Sequence, residues 1–260
     1  CLVGSEMCIR DRLYGMISPY IAEFVGTAIL LLLGSGIVAN VSLSKTKGYD
    51  QTPLITITTA WGFAVFVAAF ITGQFSGAHL NPAVTIGLVI AGKFSSELMI
   101  GYIIAQILGA MLGSWLTYLF YIDHYRSTND ESKVMGSFCT SPAIRNLKNN
   151  FFSEFLATFI LIFGILYIVK PNILIEGMNV NFGIGSLDAL PVGILVWVIG
   201  LSLGGTTGYA INPARDLGPR IVYQLIPRKN KLSDWAYSWI PVIGPSLGAV
   251  AAGLLYLYFN

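Results

Sequence analysis

Hydrophobic and polar positions fall in long blocks along this chain. Six apolar runs, covering about 18 to 40, 53 to 73, 97 to 121, 150 to 169, 189 to 206 and 236 to 258, are separated by polar stretches. A helix rises 1.5 Å per residue and a hydrocarbon core is about 30 Å thick, so each run can cross a bilayer, the fifth only marginally. Two shorter runs open on the same triplet, Asn81-Pro82-Ala83 and Asn212-Pro213-Ala214. Asparagine is a favoured N-cap and proline a favoured first helical residue, so both triplets predict helix starts. The runs that follow, Asn81 to Lys93 and Asn212 to about Pro227, cover only about half of the core. Free N–H groups at that depth are tolerated only when buried in protein or lining a water-filled path. The pattern predicts an all-α membrane protein with six transmembrane helices, two half-spanning re-entrant helices and a polar path between them.

The chain repeats itself. The two triplets lie 131 positions apart, as do Glu23-Phe24 and Glu154-Phe155, with Thr27 and Thr158 in step. Each half holds three full spans, an odd number, so the second enters from the opposite face and an inverted repeat results. Residues 16–121 form the first half, 122–149 a polar connection acting as a hinge, and 150–260 the second half, all in one membrane domain. Leu108-Gly109-Ala110 answers Leu247-Gly248-Ala249 at an offset of 139, which predicts an inserted loop around Arg228 to Asp234. Small residues at every fourth position (Ala60, Ala64, Ala68; Gly101, Ala105, Gly109, Gly113; Gly244, Gly248, Ala252) predict seams where helix backbones approach closely. Residues 1–15 read as a non-native or disordered N-terminal segment, with Cys1 to Arg12 a sequence-processing scar. A chain beginning near Met16 is expected to insert and function unchanged.

Composition agrees with a membrane class: 55% of the 260 residues are hydrophobic and 11% charged, with a mean hydropathy of +0.70. A net charge of +2, with no basic run interleaved with aromatics, argues against a nucleic-acid partner. Cys1, Cys8 and Cys139 have neither disulfide nor metal-ligand spacing, so no metal and no cofactor are expected. Loop cations give an awkward orientation. If the first span starts inside, the inner face carries Arg10, Arg12, Lys93 and Lys170, while most of the other loop cations lie outside, from Lys45 to Lys231. Charge counting alone favours the opposite topology.

Candidate chemistry gathers at the triplets. Asn81 and Asn212 cap half-helices whose positive ends meet near the midplane, so their side-chain N–H groups can face a passing oxygen while cations are repelled. Aligning the halves isolates what differs: Ala78 answers Tyr209 and Val84 answers Arg215. An arginine within a span costs about 2.5–3.5 kcal/mol and opposes the dipole of a first helical turn, so a structural Arg215 is oddly placed. It is expected to donate into the path, with Asp216 as the partner that fixes it. Glu23 and Glu154 are intramembrane carboxylates, for which a proton relay is one reading. Their symmetry favours a second, as acceptors for free N–H groups of the loops entering the half-helices. His79 lacks a second histidine or cysteine nearby, which argues against a metal, and is expected to line a vestibule.

The stretches Ser76-Gly77-Ala78-His79-Leu80-Asn81-Pro82-Ala83-Val84-Thr85 and Gly208-Tyr209-Ala210-Ile211-Asn212-Pro213-Ala214-Arg215-Asp216 resemble the aquaporin superfamily, also called the major intrinsic protein family. The likeness runs from about Ser18 to Asn260. Asp216 after Arg215 is similar to the aquaglyceroporin branch, the bacterial glycerol uptake facilitators. The resemblance implies a right-handed bundle in a homotetramer with one pore per subunit, both termini cytoplasmic, in a plasma or bacterial inner membrane. It implies pore triplets at Asn81, Pro82, Ala83 and Asn212, Pro213, Ala214, and a selectivity filter of Trp61, Gly200, Tyr209 and Arg215. Trp61 matches the filter tryptophan, and Gly200 leaves space where water-specific members have histidine. Tyr209 departs from the expected phenylalanine, which leaves the choice among glycerol, urea, dihydroxyacetone and lactic acid open. The expectation is a passive channel for glycerol and small uncharged solutes, with some water, in contact with membrane lipid and without catalytic residues. A proton-coupled secondary transporter is the alternative, since broken helices and inverted repeats mark those folds too. A membrane enzyme using Glu23 or Glu154 with His79 lacks a nucleophile or metal set.

Overall fold

The computed structural model describes residues 18–169, 172–175, 178–181 and 183–260. The expectation for residues 1–15 lies outside them. The first half contains α1 (Pro19–Ser42), α2 (Leu54–Ser76), the half-helix α3 (Pro82–Ile90) and α4 (Ser96–Phe120). The connection carries α5 (Ile122–Ser127) and α6 (Glu131–Gly136). The second half contains α7 (Leu147–Leu166), α8 (Leu190–Leu203), the half-helix α9 (Pro213–Leu225) and α10 (Ile240–Phe259). Between α7 and α8 lie a short antiparallel hairpin, β1 (Asn172–Ile175) with β2 (Met178–Asn181), and a 3₁₀ turn over Gly185–Ala189. The hairpin adds to the all-α membrane bundle rather than altering it. Among the described residues six helical segments are long and apolar enough to span a membrane, the fifth only when the 3₁₀ turn is joined to α8. At about 1.5 and 2.0 Å per residue the two pieces together reach about 31 Å, enough for the core.

Packing follows the repeat. α1 lies against α4 as α7 lies against α10, and each half-helix docks on the opposite half, α3 on α10 and α9 on α4. α2 meets α8 across the pseudo-two-fold. There Gly62 and Gly193, 131 positions apart, face each other so closely that a β-carbon on either would stand 2.7–2.8 Å from the other's carbonyl oxygen. The same reason explains the glycine stripes. A β-carbon on Gly109 or Gly248 would lie 2.2 Å from the carbonyl of Phe24 or Phe155. Without a hydrophobic force between helices in lipid, such backbone contact supplies the attraction. The opposite helix faces carry exposed apolar side chains, among them Ile21, Leu33, Phe63, Ile104 and Leu254, which suit hydrocarbon.

The connection is more than a hinge. Its Tyr125, Val134, Met135, Phe138 and Cys139 are buried in one cluster with Tyr118 of α4 and Val222, Tyr223 and Ile226 of α9 and its end. Arg228 fastens it by donating to Glu131 Oε2 at 2.6 Å and to the carbonyls of Tyr125 and Thr128 at 2.8 and 2.6 Å. Arg145 grips Asp234 with two hydrogen bonds of 2.7 and 3.0 Å. Several cations that burden the charge count on this face are therefore structural fasteners. The segment from Arg228 to Asp234 is a loop, as the slipped register predicts.

Candidate functional site: a lumen between two half-helices

Each half-helix begins where the sequence places it. Asn81 Oδ1 accepts from the Ala83 N–H at 2.8 Å, and Asn212 Oδ1 accepts from the N–H groups of Ala214 and Arg215 at 3.0 and 3.2 Å. The amide nitrogens cross over: Asn81 Nδ2 donates to the Ile211 carbonyl and Asn212 Nδ2 to the Leu80 carbonyl, both at 2.9 Å. An amide nitrogen carries two hydrogens, so each asparagine spends one on the opposite loop and keeps one. The prolines place no N–H in the first turn, where it would have no partner. The two N-termini are thus bolted together about a pseudo-two-fold axis.

The loops leading into them are wound the same way twice. Gly77, Ala78 and Leu80 have φ of 80°, 49° and 52°, and Gly208, Tyr209 and Ile211 have 78°, 38° and 43°. Left-handed conformations cost side-chain-bearing residues about 1–3 kcal/mol each and persist only where surroundings enforce them. The enforcing groups are the two carboxylates. Glu23 accepts from Ser76 Oγ (2.6 Å), the N–H groups of His79 (2.9 Å) and Leu80 (2.7 Å), and Gln106 Nε2 (2.7 Å). Glu154 accepts from Thr207 Oγ1 (2.6 Å) and the N–H groups of Ala210 and Ile211 (both 2.9 Å). Both side chains are buried behind the loops. Because the peptide unit is planar and trans, an N–H turned back to a carboxylate turns the preceding carbonyl the other way. Ala78, His79, Tyr209 and Ala210 therefore present carbonyl oxygens on the side away from the glutamates.

That side is a lumen. A cavity of about 740 Å³ runs from Trp61, Tyr209 and Arg215 past Asn81 and Asn212 to His79, Ser186 and Asp188 at the face bearing the hairpin. A second of about 230 Å³ opens on the face bearing the connection, between Cys139–Ser141 and Gly208. Trp61, Tyr209 and Arg215 line both, so the constriction lies where these three meet. The Arg215 guanidinium sits 4.7 Å from the centre of the Trp61 ring, within cation–π range. His79 lines the larger cavity with Nδ1 3.1 Å from Thr85 Oγ1 and its ring edge-on to Phe94. Among the described residues no group of three metal-ligating side chains occurs.

Two expectations need correction. Asp216 does not hold Arg215: its carboxylate bonds Thr140 and forms a fully buried ion pair with Arg220 at 2.8 Å. Neighbouring residues on a helix point about 100° apart, whereas positions four apart share a face, so Arg220 wins the carboxylate. Gly200 does not leave an open space. A β-carbon there would meet Tyr209 Cζ at 2.9 Å, so the tyrosine ring already fills the gap and Gly200 stands behind the wall. Sequence reasoning missed Thr140 and Arg220, whose only signal was a second arginine in an otherwise membrane-embedded half-helix.

Two inverted half-helices bolted end to end around a lumen decide the comparison with known proteins. The family described as Major intrinsic protein matches residues 12–256. This chain belongs to the major intrinsic protein family. It is 48% identical to the probable glycerol uptake facilitator protein of Thermotoga maritima, over 92% of this chain and 98% of that one. A glycerol uptake facilitator protein of Streptococcus pneumoniae is 46% identical, over 94% of this chain and 100% of the relative. The crystal structure of the aquaglyceroporin from Plasmodium falciparum superposes with a TM-score of 0.76 at 34% identity, covering 91% of this chain and 93% of that one. The chain is a multi-pass membrane protein with the aquaporin fold.

Proposed function

We propose that the protein is a passive channel for glycerol and similarly small uncharged solutes, with some water, and that it performs no catalysis. The observation that carries the proposal is the mixed lining of the lumen: the asparagine donors and loop carbonyl acceptors share it with apolar Leu30, Val65, Leu161 and Val196. A polyol has hydroxyls along one edge and carbons along the other, and such a surface fits it. The names of the relatives point to the same solute class.

Passage then follows from weak, graded contacts. Arg215, whose guanidinium has no hydrogen bond or ion pair among the described residues, offers free N–H groups at the constriction, with Trp61 and Tyr209 as its apolar sides. A hydroxyl accepts there, moves to the spare hydrogens of Asn81 and Asn212, and donates to the carbonyls of Ala78, His79, Tyr209 and Ala210. No contact is strong enough to hold it. Two half-helix N-termini together contribute about one positive charge equivalent at the centre, and Arg215 adds another, which repels cations. A water between Asn81 and Asn212 accepts from both, so its hydrogens turn sideways and a proton cannot hop through.

The orientation with both termini cytoplasmic is part of the proposal. Fastener arginines on the connection face give its cations a purpose unrelated to insertion. Assembly as a homotetramer within lipid is likewise proposed, from the family resemblance. Stopped-flow light scattering of proteoliposomes tests the function. Glycerol entry is expected to be fast, linear in concentration and indifferent to pH, and Arg215→Ala is expected to admit larger polyols. Glycerol uptake that follows an imposed proton gradient would favour the transporter instead.

A further inference from the structure

The connection between the two halves lines the smaller cavity beside the constriction, and Thr140 ties it there to α9. Thr140 is buried beside the smaller cavity, and three of its groups bind the first two turns of α9. Its N–H and Oγ1 donate to Asp216 Oδ2 at 2.7 and 2.6 Å, and its carbonyl accepts from Arg220 Nη2 at 2.9 Å. Arg220 directs its remaining N–H groups at Asp216 Oδ1 and Oδ2 (2.8 and 3.1 Å) and at the carbonyls of Ser233 and Asp234 (2.7 and 3.3 Å). The guanidinium's five donors are all used.

We propose that Thr140, Asp216 and Arg220 are positioning residues of the constriction: they fix the connection to the first turn of α9 and keep the Arg215 guanidinium free for solute. The inference rests on the reading of Arg215 as the filter donor. A buried carboxylate beside that arginine would be a strong competitor for it in a low-dielectric wall. Here the competitor is saturated by four donors, two from Thr140 and two from Arg220. The two walls of the smaller cavity, Cys139–Ser141 and Gly208–Tyr209, are thereby held at one separation. A purely structural clasp would stabilise the fold without affecting which solutes pass. This one touches the residue next to the filter, so its loosening changes selectivity.

The test uses full-length protein in liposomes and reads the ratio of five-carbon polyol to glycerol permeability. T140V keeps the side-chain shape and removes the donor, and a hydrogen bond to a charged acceptor is worth about tenfold in an equilibrium. The ratio is expected to rise by about that factor, and T140S, which restores the hydroxyl, returns it to the wild-type value. R220K keeps the charge but not the fork that reaches the carboxylate and three carbonyls together, so it is expected to raise the ratio as well. Should T140V not insert, R220K carries the same test. Inserted T140V or R220K protein with an unchanged ratio overturns the proposal. If R215A shifts the ratio while those variants do not, the filter reading survives alone. If R215A also leaves it unchanged, both readings fall.

Discussion

Glu154→Gln separates a carboxylate that shapes the lumen from one that carries protons. The substitution changes one oxygen to an NH2 of nearly equal size. Oε1 of Glu154 accepts from Thr207 and Ala210, and Oε2 from Ile211. An amide can place its oxygen in only one of these positions, and keeping the two bonds of Oε1 sets its NH2 against the Ile211 N–H. A buried donor left bare costs about 1–3 kcal/mol, and the two retained bonds each weaken by about 1 kcal/mol when their acceptor loses its charge. Relief from burying that charge offsets part of this, leaving a net loss of about 2–3 kcal/mol. The loss falls on Ile211, a β-branched residue at φ 43°, which gains by leaving the left-handed region. At about 1.4 kcal/mol per decade, the ordered loop is depopulated by tenfold or more relative to its alternatives. Glycerol flux per reconstituted molecule is expected to fall well below wild type and to stay indifferent to pH, while the detergent-solubilised protein unfolds at a lower temperature. Unaltered flux and unaltered unfolding would refute the reasoning. Wild-type thermal stability together with a lost response to pH would identify a proton-carrying group.

Other outcomes follow from single contacts. Gly109→Val drives a branched side chain into the Phe24 carbonyl, and overpacking of this kind costs about 1–3 kcal/mol, so the yield of folded protein should drop. The Tyr209 hydroxyl is buried with no partner among the described residues, so Tyr209→Phe should raise thermal stability by about 1 kcal/mol and keep glycerol flux. An unfolding temperature below wild type would contradict that. Arg228→Ala removes the Arg228 donor from Glu131 Oε2 and from two carbonyls, a loss of about 2 kcal/mol, and limited proteolysis should then cut within residues 122–140 first.

Much of the architecture was legible because the bilayer imposes length and composition on every span. Asn-Pro-Ala encodes its own helix start through a cap and a fixed φ, and its recurrence at 131 positions exposes the inverted repeat. Glu23 and Glu154 were readable as acceptors for the same reason, since each stands 58 positions before its asparagine. What escaped depends on contacts between distant positions. Asp216 has its partner Thr140 76 positions earlier in the chain, and nothing local marks that pairing. The adjacent Arg215 looked the better match until helix geometry turned the carboxylate toward Arg220. Gly200 looked like vacant space because a sequence does not reveal which ring fills a missing side chain. The connection read as a hinge because its buried Tyr125, Phe138 and Cys139 are spaced among polar residues without a helical or strand period.

The most direct measurement of the channel reading is isotopic glycerol exchange across proteoliposomes, with and without unlabelled glycerol on the far side. A lumen open past Asn81 and Asn212 predicts a rate that rises linearly with concentration and is the same whether the far side holds glycerol or not. Exchange that saturates and accelerates when unlabelled glycerol is present opposite would mean the protein alternates between two closed states, which contradicts a continuous pore.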